Sequence, residues 1–343
     1  MTAMKLLVIG GSRFVGRHLV QAALAAGHAV TLFNRGQSSP WRPADAQLLV
    51  GDRQGDLAAL AGPGVGPWDA VVDCCAYLPA DAARMADALA GRVGRYVLIS
   101  SVSAYASSRQ PNPEDAPLGR LDDADTTVVD GRTYGPLKAL CEAAVARRIG
   151  ADRTLLVRPG LVVGPLDPTQ RFTWWPARLA RAAADGLPVL APGRPDRGLQ
   201  FIDARDLAAW ILAALGVAAH GPYNLVAPPG FTTMAGLLQA CAAAAGASAP
   251  LHWVADADLL AQGVQAWVDL PLWLPADGEH AAFMAVPGAK AASLGWAPRP
   301  LAETVADTLA WWRSLPAAEQ AFTLAGLPAE REAALLAALA SPA

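Results

Sequence analysis

Lys5-Leu6-Leu7-Val8-Ile9-Gly10-Gly11-Ser12-Arg13-Phe14-Val15-Gly16 is the stretch of this 343-residue chain that decides its fold. Leu6 to Ile9 is a short, wholly apolar run, the pattern of a parallel strand covered on both faces. It feeds into a glycine turn, after which Phe14, Leu19, Val20 and Leu24 recur at helical spacing until Gly27 ends the helix. A second apolar run, Ala29 to Asn34, completes a strand–helix–strand unit. Glycine lets the backbone approach a pyrophosphate, and the helix N-terminus presents free amides to that charge. A lone glycine motif is weak evidence; the strand before it and the helix after it give it weight.

Working outward, strand-like runs recur at Gln47 to Val50, Ala70 to Asp73, Tyr96 to Ser101 and Thr154 to Arg158. They alternate with helical patterns at Ala80 to Ala90 and Tyr134 to Ile149, and no internal repeat is present. The alternation predicts an α/β fold, a doubly wound parallel sheet, with a smaller C-terminal substrate domain. Residues 1–165 plus 198–228 are assigned to the dinucleotide-binding domain and 166–197 plus 229–315 to the substrate domain. The alanine-rich 316–343 reads as a peripheral amphipathic helix or a frayed tail. Ligands of such sheets sit outside the carboxyl ends of the strands, which brings Ser100 and Ser101 towards the start of the Tyr134 helix.

That helix carries one of only three lysines among 27 basic residues. Tyr134 and Lys138 stand four apart, on one helix face. The geometry suits a phenol exchanging protons with a cation beneath it; the bland reading is a solvated surface pair. Arginine is a poor substitute for a compact ammonium that must reach a ribose hydroxyl.

The nucleotide end has its own signature. Arg13 holds the middle position of Gly-x-x-Gly-x-x-Gly, and the second strand ends at Asn34-Arg35, where an acidic residue would hold the ribose diol of NAD. Two guanidiniums there favour a 2'-phosphate, hence NADP(H); with Arg13 in solvent or on the adenine face, NAD(H) is accommodated instead. Asp52 either accepts from the adenine amino group or caps a turn.

Composition excludes other classes. A net charge of -3 without a lysine-rich block argues against nucleic acid as the main partner. No apolar run reaches the roughly 20 residues of a membrane helix. Neither a charged leader nor a cleavage site precedes Lys5, and Cys74, Cys75, Cys141 and Cys241 do not form a disulfide framework, so a cytoplasmic location is expected. The five histidines lack ligand spacing, and no metal is expected.

Four motifs stand in family order: the glycine turn, Ser100-Ser101-Val102-Ser103-Ala104-Tyr105, Tyr134-Gly135-Pro136-Leu137-Lys138, and Arg158-Pro159-Gly160-Leu161-Val162-Val163-Gly164-Pro165. Together they resemble the extended and atypical short-chain dehydrogenase/reductases, in particular the NAD-dependent epimerase/dehydratase branch. The Gly-Gly-Ser-Arg-Phe-Val-Gly variant is similar to that of the isoflavone-reductase-like and chloroplast stem-loop-binding groups. Matches run from about residue 5 to 226, with Gln200 to Ala208 and Tyr223-Asn224-Leu225 among them. The resemblance implies Tyr134 as general acid/base, Lys138 on the nicotinamide ribose and lowering the phenol pKa, and Ser101 on the reacting oxygen. It implies dinucleotide contacts from Gly10, Ser12, Arg13, Phe14, Val15, Gly16, Asn34, Arg35, Asp52, Arg53, Cys74, Ala76, Lys138, Pro159 and Gly160. Dehydratases of the family place an acidic pair directly after the catalytic hydroxyl residue; Val102 and Ser103 stand there, which disfavours dehydration.

Ser103, Trp174, Trp175, Arg178 and Trp273 are the candidate substrate contacts, with the two adjacent tryptophans serving otherwise as anchors of a helix. Ala106 to Arg132 reads as a lid or a disordered surface loop. Three functions compete: an NADP(H)-dependent oxidoreductase acting on a small, aromatic metabolite; a sugar-nucleotide epimerase using Arg171, Arg178, Arg194 and Arg197 on a diphosphate; and a non-enzymatic nucleotide- or RNA-binding protein. A homodimer through the Tyr134 helix would use Leu137, Leu140 and Val145, residues that otherwise face the protein's own sheet.

Overall fold

The computed structural model describes residues 2–37, 39–123 and 125–340. In chain order come β1 (Lys5–Ile9), α1 (Phe14–Ala25), β2 (Ala29–Asn34), β3 (Ala46–Val50), β4 (Trp68–Asp73), α2 (Pro79–Leu89), β5 (Val93–Ile99), α3 (Tyr134–Ile149) and β6 (Thr154–Pro159). With the strand Gly221–Leu225 they form a seven-stranded sheet. Its order is Gly221–Leu225, β6, β5, β4, β1, β2, β3, every neighbouring pair parallel. From β1 the chain winds outward to β3 and then crosses to β4 on the other side. The glycine turn after β1 therefore stands at the switch point, where open α/β sheets bind ligands.

The apolar run of β1 serves two cores, because successive side chains point to opposite faces. Leu6 and Val8 pack with α1 and the helix α5 (Ala204–Gly216), introduced after α4 (Arg171–Asp185). Leu7 and Ile9 pack with α2 and α3 on the other face. A third core gathers α4, α6 (Met234–Ala245), the helix Leu301–Ser314 and the paired strands Val189–Pro192 and Leu251–Val254. The strand Phe201–Asp203 is the seam, for Phe201 points into this third core and its neighbour Ile202 into the first. Asp203 then caps α5 by accepting from the amide of Arg205.

The C-terminal segment is more firmly joined than a frayed tail. Its helix Ala329–Ala340 docks on the third core, with Leu327 and Leu335 buried there and Glu332 only 2% exposed. Leu137 and Val145 are fully buried within the protein's own fold, so of the three proposed dimer residues only Leu140 keeps exposed surface. Among the described residues no helix is long and apolar enough to cross a membrane.

Candidate active site

β5 ends one residue before the Ser100–Ser101 pair, and a single turn, Val102–Ala104, follows. Ser101 Oγ accepts from the amide of Ser103 at 3.0 Å, and the Ser101 hydroxyl is near enough to the Tyr134 phenol to lower its pKa. The fold thus unites residues 33 positions apart in sequence. Ser100 is buried with no partner for its hydroxyl among the described residues.

One helical turn beyond Tyr134, Lys138 is 3% exposed. Its ammonium donates to the carbonyl of Ala76 at 2.8 Å and to that of Ile99. Burial lowers its pKa, while Cys141 and Asp73 act in the opposite sense. Tyr134 is pushed up to about 12 by burial and then by Tyr77; the neighbouring Ser101 hydroxyl opposes this. The expected lowering of the phenol by Lys138 is corrected accordingly. The ammonium is engaged by two carbonyls, and desolvation dominates.

The principal cleft, about 690 Å³, runs from the glycine turn along the carboxyl edge of the sheet. Gly10 to Gly16 form one wall, with Ser12, Arg13, Phe14 and Val15 all lining it. Gly10 and Gly11 have φ of +95° and +77°, and a Cβ on Gly16 would lie 2.7 Å from the Gly11 backbone. Glycine is required at both ends of this cradle, which fits a pyrophosphate held on backbone amides. Arg13 and Arg35 are exposed at the rim, and Asn34, Asp52, Arg53 and Cys74 complete the lining.

Asn34 also braces the turn, donating to the carbonyl of Gly10 and accepting from the amide of Gly36. Asp52 both lines the cleft and caps a turn through the amide of Gln54. Of the expected dinucleotide contacts, Ala76, Lys138, Pro159 and Gly160 stand outside this lining: Ala76 is buried behind it holding the buried Lys138, and Gly160 lies against Val226.

Sequence reasoning missed Tyr77. Its side chain is 49% exposed in the cleft, its ring 6.4 Å from that of Tyr134, and Lys138 Nζ lies 5.5 Å from its centroid. Position just beyond the end of β4 was the available signal.

On the substrate side most expectations are corrected. Trp174 and Trp175 are 2% and 0% exposed and pack edge-to-face in the third core; Trp175 donates to the carbonyl of Pro271. Arg178 is buried in an ion pair with Glu332. Trp273 is tied to Asp256 and borders a separate cleft with Arg194 and Arg197. Ser103 alone of that set adjoins Ser101 and Tyr134.

Elsewhere, Phe283 packs against the cluster of Val102, Tyr105, Val226 and Val286, Trp267 stands edge-on to Phe283 at 5.4 Å, and the Arg171 guanidinium lies 5.8 Å from the Trp267 ring centroid. Arg171, Trp267 and Phe283 come together only through tertiary packing, which no local pattern announces.

The loop before α3 is held at its start. Leu118 bridges Tyr105, Asn224 donates to the carbonyl of Asn112, and Arg158 donates to that of Glu114. Further on, Val128 and Val129 are exposed and Val129 reaches the cleft, the placement a lid requires.

Residues 6–90 and 80–225 match the model of the NAD dependent epimerase/dehydratase family. Over 261 residues the chain is 26% identical to the chloroplast stem-loop binding protein of 41 kDa b of Arabidopsis thaliana, covering 72% of this chain and 64% of that protein. The match therefore spans just under two thirds of that relative's length. The UDP-glucose 4-epimerase of Thermus thermophilus, solved with NAD, aligns with a TM-score of 0.61 at 21% identity, covering 91% of this chain and 100% of the other. The UDP-glucuronic acid 4-epimerase of Bacillus cereus, also with NAD, gives 0.63 at 16% identity, covering 90% and 98%. At these identities the likeness to the solved structures is one of fold.

Proposed function

The chain belongs to the NAD dependent epimerase/dehydratase family, and from that premise we propose that it is an enzyme that binds a nicotinamide dinucleotide and exchanges a hydride with a carbonyl or alcohol carbon of a small metabolite. The observation that carries this reading is that Ser101, Tyr134 and Lys138 converge at the carboxyl end of β5, with the Tyr77 ring linking Tyr134 to the cleft that the glycine turn lines. The bound nicotinamide would supply the hydride chemistry. Tyr134 holds the proton to be given or taken at its phenol oxygen, and Ser101 orients the reacting oxygen beside it. Gly10 to Gly16 would hold the pyrophosphate.

Arg13 and Arg35 support NADP(H) over NAD(H), since both guanidiniums stand at the cleft rim without an ion-pair partner among the described residues. A protein with neither cofactor nor turnover at Tyr134 would contradict the proposal. The test is titration with NADPH and NADH on wild type and Arg35→Ala, followed by a carbonyl screen on wild type and Tyr134→Phe. Full turnover in Tyr134→Phe would overturn the catalytic assignment.

Sugar-nucleotide epimerisation is the second reading, supported by the two solved neighbours. Of the four arginines available for a diphosphate, only Arg178 is locked in the core, by Glu332; Arg194 and Arg197 line a separate cleft and Arg171 lies against Trp267. The retained arginines leave this reading on an equal footing with the simpler oxidoreductase. Tightly retained cofactor and interconversion of UDP-sugars would decide for it. The name of the Arabidopsis relative raises RNA binding as a third reading; a steep salt dependence of RNA affinity would support it.

A further inference from the structure

Arg53 leaves the end of β3 and reaches to the end of β4. Its two terminal nitrogens donate to the two carboxylate oxygens of Asp73 at 2.9 and 3.0 Å. Asp73 is fully buried and also accepts from the hydroxyl of Tyr96 at 2.8 Å and the amide of Cys75 at 3.1 Å. Four donors thus fix the carboxylate, and the bidentate pairing fixes the plane of the guanidinium. The Arg53 side chain nevertheless keeps 12% exposure, lines the nucleotide cleft next to Asp52, and has an Nε without a partner among the described residues.

A buried ion pair of this kind is no more stabilising than well-packed apolar groups of the same volume. Stability alone does not account for it. A flat cation held rigidly in a nucleotide cleft is, however, a stacking surface for a heteroaromatic ring. We propose that Arg53 is the platform on which the adenine of the dinucleotide stacks, with Asp73 and Tyr96 as the positioning residues that hold it flat. The proposal rests on the dinucleotide reading above.

It is tested by dissociation constants for two half-ligands, ADP-ribose and reduced nicotinamide mononucleotide, together with NADPH and NADH. The proteins are wild type, Arg53→Lys, Arg53→Met, Tyr96→Phe and the charge-free double variant Arg53→Met/Asp73→Leu, which keeps the test open should Arg53→Met fail to fold. The platform predicts that Arg53→Met and the double variant weaken ADP-ribose and the full dinucleotides by about tenfold and leave the mononucleotide unchanged. Arg53→Lys does not restore affinity, and Tyr96→Phe loses less. Folded variants that bind ADP-ribose as wild type does, or that lose both half-ligands equally, overturn the platform while leaving the dinucleotide reading intact. Wild type that binds no nucleotide overturns both.

Discussion

The carbonyl oxygen of Ser103 occupies the space that a Cβ on Gly135 would need. The turn after β5 therefore presses directly on the first turn of α3, and this contact is what brings Ser101 to Tyr134. Gly135→Ala must push the two apart. We expect turnover to fall by roughly a hundredfold, the scale for displacing a catalytic group by an ångström. Affinity for ADP-ribose, which lacks the nicotinamide end that Lys138 serves, should be unchanged, because the glycine cradle lies elsewhere. Steady-state kinetics beside a nucleotide titration separate the two effects, and an alanine variant with wild-type turnover would refute the packing argument.

Tyr77 should act on Tyr134 through charge. Its proximity raises the Tyr134 phenol, second only to burial, so that the hydroxyl stays protonated until about pH 12. Tyr77→Phe keeps the ring beside Lys138 and removes the ionisable oxygen. The phenolate band assigned to Tyr134, by difference from Tyr134→Phe, is expected to appear at lower pH in Tyr77→Phe. No movement of that band would show that burial alone sets the value.

Much of the fold was legible because its signals are local. The all-apolar Leu6 to Ile9 and the glycine turn each declare an element within a few residues, and both stand where the pattern put them. Tyr134 and Lys138 were legible for the same reason, being one helical turn apart. The substrate side was not. Trp174 and Arg178 share a helix face with the right chemistry for a pocket, yet that face turns inward because Glu332, more than 150 residues away, supplies the countercharge. Tyr77 carries no motif and reaches Tyr134 and Lys138 by packing alone. Polar and aromatic residue types do not reveal which way a helix is rolled.

Asp167 gives a pH dependence of known sign. It is 2% exposed, and burial raises its carboxyl from 3.8 to about 6, despite accepting from the amide and hydroxyl of Thr169. The folded state thus binds the proton more tightly than the unfolded one. The stabilisation is whole below about pH 4 and is lost as pH rises through 6, by about 3 kcal/mol in all. Asp167→Asn keeps an acceptor for Thr169 without the charge. Its melting temperature should exceed that of wild type at pH 8, and the gap should close as the pH is lowered to 4. A gap that does not vary with pH would show that Asp167 keeps an ordinary carboxyl pKa.

Arg178 and Glu332 convert a discarded substrate assignment into a stability prediction. Arg178 Nε lies 2.9 and 2.7 Å from the two oxygens of Glu332, both side chains at most 3% exposed, and the amide of Leu190 donates to the same carboxylate. One carboxylate from the C-terminal helix therefore joins α4 to the strand Val189–Pro192. Glu332→Ala leaves the guanidinium buried without its countercharge, a loss on the order of 3–5 kcal/mol. Arg178→Met/Glu332→Leu removes both charges and should recover much of it. Were Arg178 a substrate ligand, the double variant would fold well but raise KM. With Arg178 in the core, KM should match wild type in the double variant, while chemical denaturation places Glu332→Ala far below both.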